Sequence, residues 1–360
     1  MTKAEFSQRC AALAGELPER DLNGIIVSAL PNVRYLSGFT GSNALLLLAD
    51  GQRTLFTDPR YEIQAATECG GDVRVIRGSL YQAAIELAAK RKYRAVGFEA
   101  GRITYNAYQF MQEKLALGMS LVPTEGLAEK LRAVKSVSEM QAIRASVLTN
   151  SKAFEKAVAR IKPKMTESDL AAEIEYQMRR LGAEKPAFET IVASGPRTAL
   201  PHAQPTYNVL SNNQLLLIDM GCAREGYASD MTRMLHLGNP GTKARKLYKA
   251  VLEAQLGAIA AVRAGVKAGA VDASARRILK AHRFEKQFVH STGHGLGLEI
   301  HEPPRVGRKD QTILKAGMAI TIEPGAYVEG FGGVRIEDTI LVTETGCEVL
   351  TPTAKELICV

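Results

Sequence analysis

The spacing of apolar and polar positions divides the chain into two styles of structure. Up to residue 124, short apolar runs bounded by polar and glycine-containing stretches read as strands: Ile25-Ile26-Val27, Ala44 to Leu48, Thr54-Leu55-Phe56, Val73 to Ile76 and Ala95 to Phe98. Between them, Tyr61 to Glu68 and Ser79 to Lys90 repeat apolar residues at helical spacing, which predicts an α/β domain of modest size over residues 1–124. Met1 to Leu17 mixes Lys3, Glu5, Arg9 and Glu16 with small apolar residues; it predicts an amphipathic surface helix and lacks the continuous apolar stretch of a signal peptide. The pattern changes around Pro123 to Gly126, so a second domain is expected over residues 125–360.

That second part opens on long helices. Ser136-Val137-Ser138-Glu139 is a capping box, and the helix it starts is expected to run to about Ile161. Another begins near Thr166, with Leu170, Ile174, Met178 and Leu181 on one face, and stops at Gly182. Strands and hairpins follow to Arg233. The same order then returns, with helices over Thr242 to Arg263 and about Val271 to His282, and strands after them. Ile161-Lys162-Pro163-Lys164 aligns with Val266-Lys267-Ala268-Gly269 at an offset of 105, although Lys164 stands against Gly269. Leu216-Leu217-Ile218-Asp219 aligns with Ile320-Thr321-Ile322-Glu323 at an offset of 104. Two segments agreeing on nearly one offset predict an internally duplicated α+β unit whose halves close around a central site.

Acids in the predicted strands supply the candidate chemistry. A hairpin turn centred on Arg224 and Glu225 sets Asp219 opposite Asp230, with Cβ atoms about 5 Å apart. A glycine-rich connection centred on Gly330 sets Glu323 opposite Glu337 in the same way. Glu323 and Glu337 each follow an isoleucine, Ile322 and Ile336, as expected for an acid on the face opposite a buried side chain. Aspartate is a poor strand residue, and unpaired buried carboxylates are costly, so four of them on two hairpins call for a cation. Histidine supplies a softer donor. Of six, His290, His294 and His301 fall in one glycine-rich stretch, where Gly293, Gly295 and Gly297 argue against a helix and for an irregular segment leading into a strand. His236 and His282 read as hydrogen-bonded structural residues.

Composition changes this picture little. Apolar residues make up 46% and charged residues 23%, ordinary for a folded globular chain. The longest aliphatic run, Ala44 to Ala49, is far too short to span a bilayer, so no membrane association is expected. Five scattered cysteines without a CxxC pair argue against a disulfide framework or a structural zinc site and for a cytoplasmic setting. The net charge of +8 and pI near 9.2 raise nucleic acid as a partner. The densest cluster, Lys90-Arg91-Lys92-Tyr93-Arg94, however, reads as the solvated C-terminus of a helix, and no base-reading or stacking motif accompanies it.

Taken together, Ile218-Asp219-Met220-Gly221, Ser229-Asp230-Met231-Thr232-Arg233, His290-Ser291-Thr292-Gly293-His294-Gly295, Glu323-Pro324-Gly325 and Arg335-Ile336-Glu337-Asp338 resemble the pita-bread metallopeptidases, in the Xaa-Pro aminopeptidase and prolidase branch. Tyr35 to Phe39 and Phe56 to Tyr61 resemble that branch's creatinase-like N-terminal domain. The resemblance implies an α+β chain, with a pita-bread catalytic domain behind a smaller α/β domain, and a homodimer. It implies two divalent metal ions, with manganese first and cobalt, iron or zinc as alternatives, held by Asp219, Asp230, His294, Glu323 and Glu337. These would lower the pKa of a bridging water and polarise the scissile carbonyl. By the same resemblance Glu323 would also shuttle the proton, and His202 would support the site from behind its ligands. His290 and His301 would line the pocket on the proline side and steady the tetrahedral intermediate, and Arg335 would orient the bridging carboxylates. Met234 departs from the small polar residue expected there. The implied activity is hydrolysis of the N-terminal Xaa-Pro bond of a peptide, with a strict Xaa-Pro dipeptidase as the alternative and an inactive binding homologue further behind.

Overall fold

In the computed structural model, which describes residues 1–69 and 71–360, the chain separates into two units, Met1–Arg132 and Ala133–Val360. The division lies beyond the change of pattern at residue 124. Asn32 Nδ2 donates to Glu129 Oε1 at 2.8 Å and Arg132 Nη1 donates to Asn32 Oδ1, so this stretch is tied to the first unit.

The first unit is built on strands β1 (Gly24–Val27), β2 (Ala44–Ala49), β3 (Gln52–Thr57), β4 (Asp72–Val75), β5 (Ala95–Glu99) and β6 (Ser120–Thr124), in the order β4-β3-β2-β1-β5-β6. Every residue of β1 and β2 is buried, as their continuous apolar runs require. Helices α1 (Lys3–Gly15), α2 (Leu30–Ser37), α3 (Glu62–Glu68), α4 (Leu80–Lys90), α5 (Tyr105–Glu113) and α6 (Leu127–Ala133) surround or follow the sheet. Helix α1 buries Phe6, Cys10 and Leu13 at helical spacing, and α4 ends at Lys90, which leaves the basic cluster at a helix C-terminus. Helices α2 and α5 and strand β6 are additions to the sequence reading. Pro123 lies inside β6, which is tolerated because β6 is an edge strand paired on one side only.

In the second unit, helices α7 (Val137–Val158) and α8 (Glu167–Arg180) are followed by strands β7 (Lys185–Pro186), β8 (Ile191–Ser194), β9 (Gln214–Met220), β10 (Cys222–Arg224), β11 (Tyr227–Ala228) and β12 (Met231–Leu237). Helices α9 (Thr242–Ala260) and α10 (Ala268–Ala281) then lead into β13 (Gly293–Gly295), β14 (Glu302–Val306), β15 (Ala319–Ile322), β16 (Gly325–Val328), β17 (Gly332–Arg335), β18 (Asp338–Val342), β19 (Cys347–Val349) and β20 (Ile358–Cys359). In the first half β9 lies antiparallel between β8 and β12; in the second, β15 lies antiparallel between β13 and β18. Two helices and a three-stranded antiparallel core thus occur twice. The repeats meet in one apolar core, where Leu217 and Met234 join Val251, Val271, Ile320 and Ile340. On the other side of the first sheet, Leu216 and Ile218 pack with Phe154 and Ile174 of α7 and α8. Met234 is therefore a core residue, 1% exposed.

The first hairpin turns one residue later than expected. Its two-residue loop is Glu225-Gly226, with φ of +52° and +79°, the left-handed pair that a type I′ turn demands. Arg224 pairs with Tyr227, so Asp219 faces Thr232 rather than Asp230. The slip moves the partner by two residues. Because side chains alternate with period two, both aspartates still share one face, as diagonal neighbours. In the second hairpin the register is the expected one: Ile322 pairs with Asp338 and Gly325 with Arg335, which puts Glu323 opposite Glu337 in the break between β15–β18 and β16–β17.

Candidate metal centre

Asp219 is the penultimate residue of β9, on the face that Leu215 and Leu217 turn to the shared core; Asp230 and Thr232 likewise share a face with Met234 on the neighbouring chain segment. Glu323 and Glu337 arrive from the second half, and His294 from β13. All five line one cavity of about 950 Å³, together with His202, His290, His301 and Arg335. The sequence separates these nine side chains by up to 135 residues, and the duplicated sheet brings them to one place. Asp230, His294 and Glu337 offer ligand atoms within 4.8 Å of one another, a spacing that can hold a metal ion.

The electrostatics of these side chains fit a cation. Burial, followed by the neighbouring Asp219 and Glu323, raises the Asp230 carboxyl well above its ordinary range. Burial and then Asp230 do the same to Glu337, and burial pushes Glu323 up to about 7. His294 is pulled the other way, its pKa lowered by burial. Its Nδ1–H donates to the Gly295 carbonyl at 3.0 Å, so the lone pair of Nε2 points at Asp230 Oδ2 (3.6 Å) and Glu323 Oε1 (3.3 Å). A lone pair facing two carboxylates is repulsive unless something positive lies among them. Among the described residues, buried Asp219 Oδ1 has no hydrogen-bond partner. Unpaired buried acceptors cost roughly 1–3 kcal/mol each, and a divalent cation bound here would satisfy this one. The donor set therefore fits hard or borderline ions.

Neighbouring side chains hold these donors. Arg335 is 3% exposed and gives Nη2 to Asp219 Oδ2 at 2.6 Å, Nε to Thr232 Oγ1 at 3.0 Å and Nη1 to the Tyr327 hydroxyl at 2.8 Å. Thr232 Oγ1 in turn donates to Glu337 Oε2 at 2.6 Å. One guanidinium is thus wired directly to Asp219 and through one hydroxyl to Glu337. Glu323 receives Thr321 Oγ1 at 3.2 Å, and its backbone N–H donates to Thr292 O at 2.7 Å.

The remaining histidines divide. His202 and His301 are exposed on the cavity wall, and His301 packs edge-on against His294 at 4.4 Å between ring centroids. His290 has both nitrogens engaged: Nδ1 donates to Ser291 O at 2.8 Å, and Nε2 accepts from the Tyr327 hydroxyl at 2.8 Å. Burial, reinforced by Arg335, lowers its pKa to about 4, so it is a neutral, fixed wall of the site. His236 is buried with Nδ1 on Gly238 O, and His282 bonds Glu253; neither lines the cavity. Tyr327 and the threonines at 232, 292 and 321 were not singled out by sequence. They are neutral residues whose role shows only in the partners the fold gives them, although Thr232 and Thr292 lie inside the quoted motifs.

Among the described residues, no helix is long and apolar enough to cross a membrane. Residues 141–344 match metallopeptidase family M24, and residues 9–134 match the creatinase/prolidase N-terminal domain. The chain is 36% identical to an Xaa-Pro dipeptidase of Pyrococcus furiosus, over 98% of this chain and 100% of that one. The structure matches an Xaa-Pro dipeptidase from Bacillus anthracis with a TM-score of 0.96 at 35% identity, covering 99% and 100% of the two chains. It matches an X-Pro aminopeptidase from Thermotoga maritima with a TM-score of 0.89 at 32% identity, covering 95% and 99%.

Proposed function

The chain belongs to metallopeptidase family M24, and from that premise we propose that it is a dinuclear-metal exopeptidase cleaving the bond between an N-terminal residue and proline. The observation that carries this reading is the gathering of four carboxylates and the Nε2 lone pair of His294 around one cavity. Arg335 pairs with Asp219, and no lysine or arginine among the described residues pairs with the other three carboxylates. Two divalent ions, manganese first, would be held by Asp219, Asp230, His294, Glu323 and Glu337; they supply Lewis acidity towards the scissile carbonyl and a lowered pKa for the attacking water. Arg335 orients Asp219, and Thr232 orients Glu337. Glu323 takes the proton released on attack and passes it to the departing prolyl nitrogen. His202 and His301 face the substrate, and His301 donates to the tetrahedral intermediate. His290 and Tyr327 fix the wall beside Arg335.

Dipeptides are the first choice of substrate, because two relatives matched over essentially their whole length at 35–36% identity are Xaa-Pro dipeptidases. This reverses the order in which the sequence reading placed the two activities. The aminopeptidase reading has its own support: a cavity of about 950 Å³ is large for a dipeptide. The test is metal analysis of the purified protein together with hydrolysis of Ala-Pro and Ala-Pro-Ala. Cleavage of Ala-Pro alone supports the dipeptidase, and efficient cleavage of the tripeptide the aminopeptidase. No hydrolysis of either at saturating manganese would overturn both.

A further inference from the structure

Helix α10 carries a buried ion pair that the chemistry above does not use. Asp272 and Arg276 lie one turn apart, 1% and 8% exposed, with Arg276 Nε 2.7 Å from Asp272 Oδ2 and Nη2 3.2 Å from Oδ1. An ion pair within one helix has no need of burial to form, so what else the two side chains touch is informative. Arg276 Nη1 donates to Phe288 O at 3.0 Å and Nη2 to His290 O at 2.6 Å. Thr292 Oγ1 donates to Asp272 Oδ1 at 2.8 Å. The pair therefore grips alternate residues of the 288–292 segment, which has no strand partner between the short turn at Glu285–Gln287 and β13.

The grip reaches the site by two routes. The Arg276 guanidinium lies 4.1 Å from the centroid of the Phe288 ring, which also meets the His290 ring edge-on at 5.0 Å. From His290 the chain continues through Tyr327 and Arg335 to Asp219. Thr292, held by its hydroxyl, accepts the backbone N–H of Glu323 at its carbonyl. Charge-assisted hydrogen bonds from a planar fork fix carbonyl positions more tightly than neutral ones.

We propose that Arg276 and Asp272 are positioning residues for the reaction, setting the backbone from which His290 and Glu323 are aligned. The claim rests on the peptidase reading for its kinetic consequence but not for its structural one. The test uses the full chain with Arg276→Gln and, in case that variant folds poorly, Thr292→Val, which removes only the hydroxyl bond to Asp272. Amide exchange is followed by mass spectrometry, and kcat and KM for Ala-Pro are measured at saturating manganese. The expected result is faster exchange confined to residues 288–294 and 323, a kcat lowered about 10- to 100-fold, and a KM changed much less. Exchange and kcat like the parent's in Thr292→Val, or protection lost evenly across the second unit in both variants, would overturn the proposal. If the parent protein cleaves no proline peptide, the peptidase reading fails, and the exchange pattern alone still decides whether the pair holds this segment.

Discussion

Thr232 shows how much of the site depends on residues without charge. Its hydroxyl accepts from Arg335 and donates to Glu337, so both carboxylate supports pass within one bond of it. Thr232→Val keeps the shape and removes both bonds; metal affinity should fall about 10- to 100-fold, read by titrating metal-free protein with manganese. Nothing in the sequence singles out this threonine, whereas Asp219, Asp230, Glu323 and Glu337 stood out as acids in otherwise apolar strands. Residues whose identity conflicts with their local pattern are legible; those that agree with it, such as Tyr327, Thr292 and Arg276, are not. The cysteines give a separate residue-level expectation. All five are free, and burial pushes Cys69 up to about 11 and raises Cys10, Cys222 and Cys347, while Cys359 is exposed. At pH 8 a thiol of pKa about 11 is thiolate only about one part in a thousand. One fast thiol is therefore expected with a chromogenic disulfide reagent, lost in Cys359→Ser, with the slow ones quickening as pH rises.

At the scale of elements, the strands carrying the acids were legible and their exact pairing only partly so. The second hairpin followed from its centre at Gly330, but the first turned on Glu225-Gly226 because a tight hairpin needs two left-handed residues, a demand that Arg224-Glu225 meets less well. Period-two alternation protected the conclusion from that slip. Helix α5 escaped because its apolar stripe is thin: Met111 is its one buried residue, with Tyr108 partly buried beside it. Helix α2, by contrast, carried the usual punctuation, Pro31 in its first turn and Gly38 just beyond its end. The closest fit between elements is at Gly293, where an added Cβ would lie 1.9 Å from Thr321 O. Gly293→Ala must push β13 from β15 and carry His294 with it. A displacement near 1 Å at such a site costs about 100-fold, so kcat/KM should drop by at least that much, measured on Ala-Pro.

For the whole molecule, the site is a place where the fold opposes itself: buried carboxylates raise one another's pKa, and Asp219 Oδ1 has no hydrogen-bond partner among the described residues. Metal should therefore stabilise the second unit. With free metal a hundredfold above its Kd, the gain is about 2.7 kcal/mol per site, and chelation should lower the thermal midpoint by several degrees in calorimetry. An unchanged midpoint after complete metal removal would count against the assignment. The duplication has a further consequence, in time. Thr232 meets Glu337 across 105 residues, and Arg233 meets Asp338 across the same interval. A chain emerging from the ribosome can complete its first repeat while holding only Asp219 and Asp230. Synthesis at 5–20 residues per second leaves a wait of roughly 5–20 s before Glu337 appears. For most of that wait neither Glu323 nor Glu337 is present, so the five candidate ligands that line the cavity come together only once the second repeat has been made.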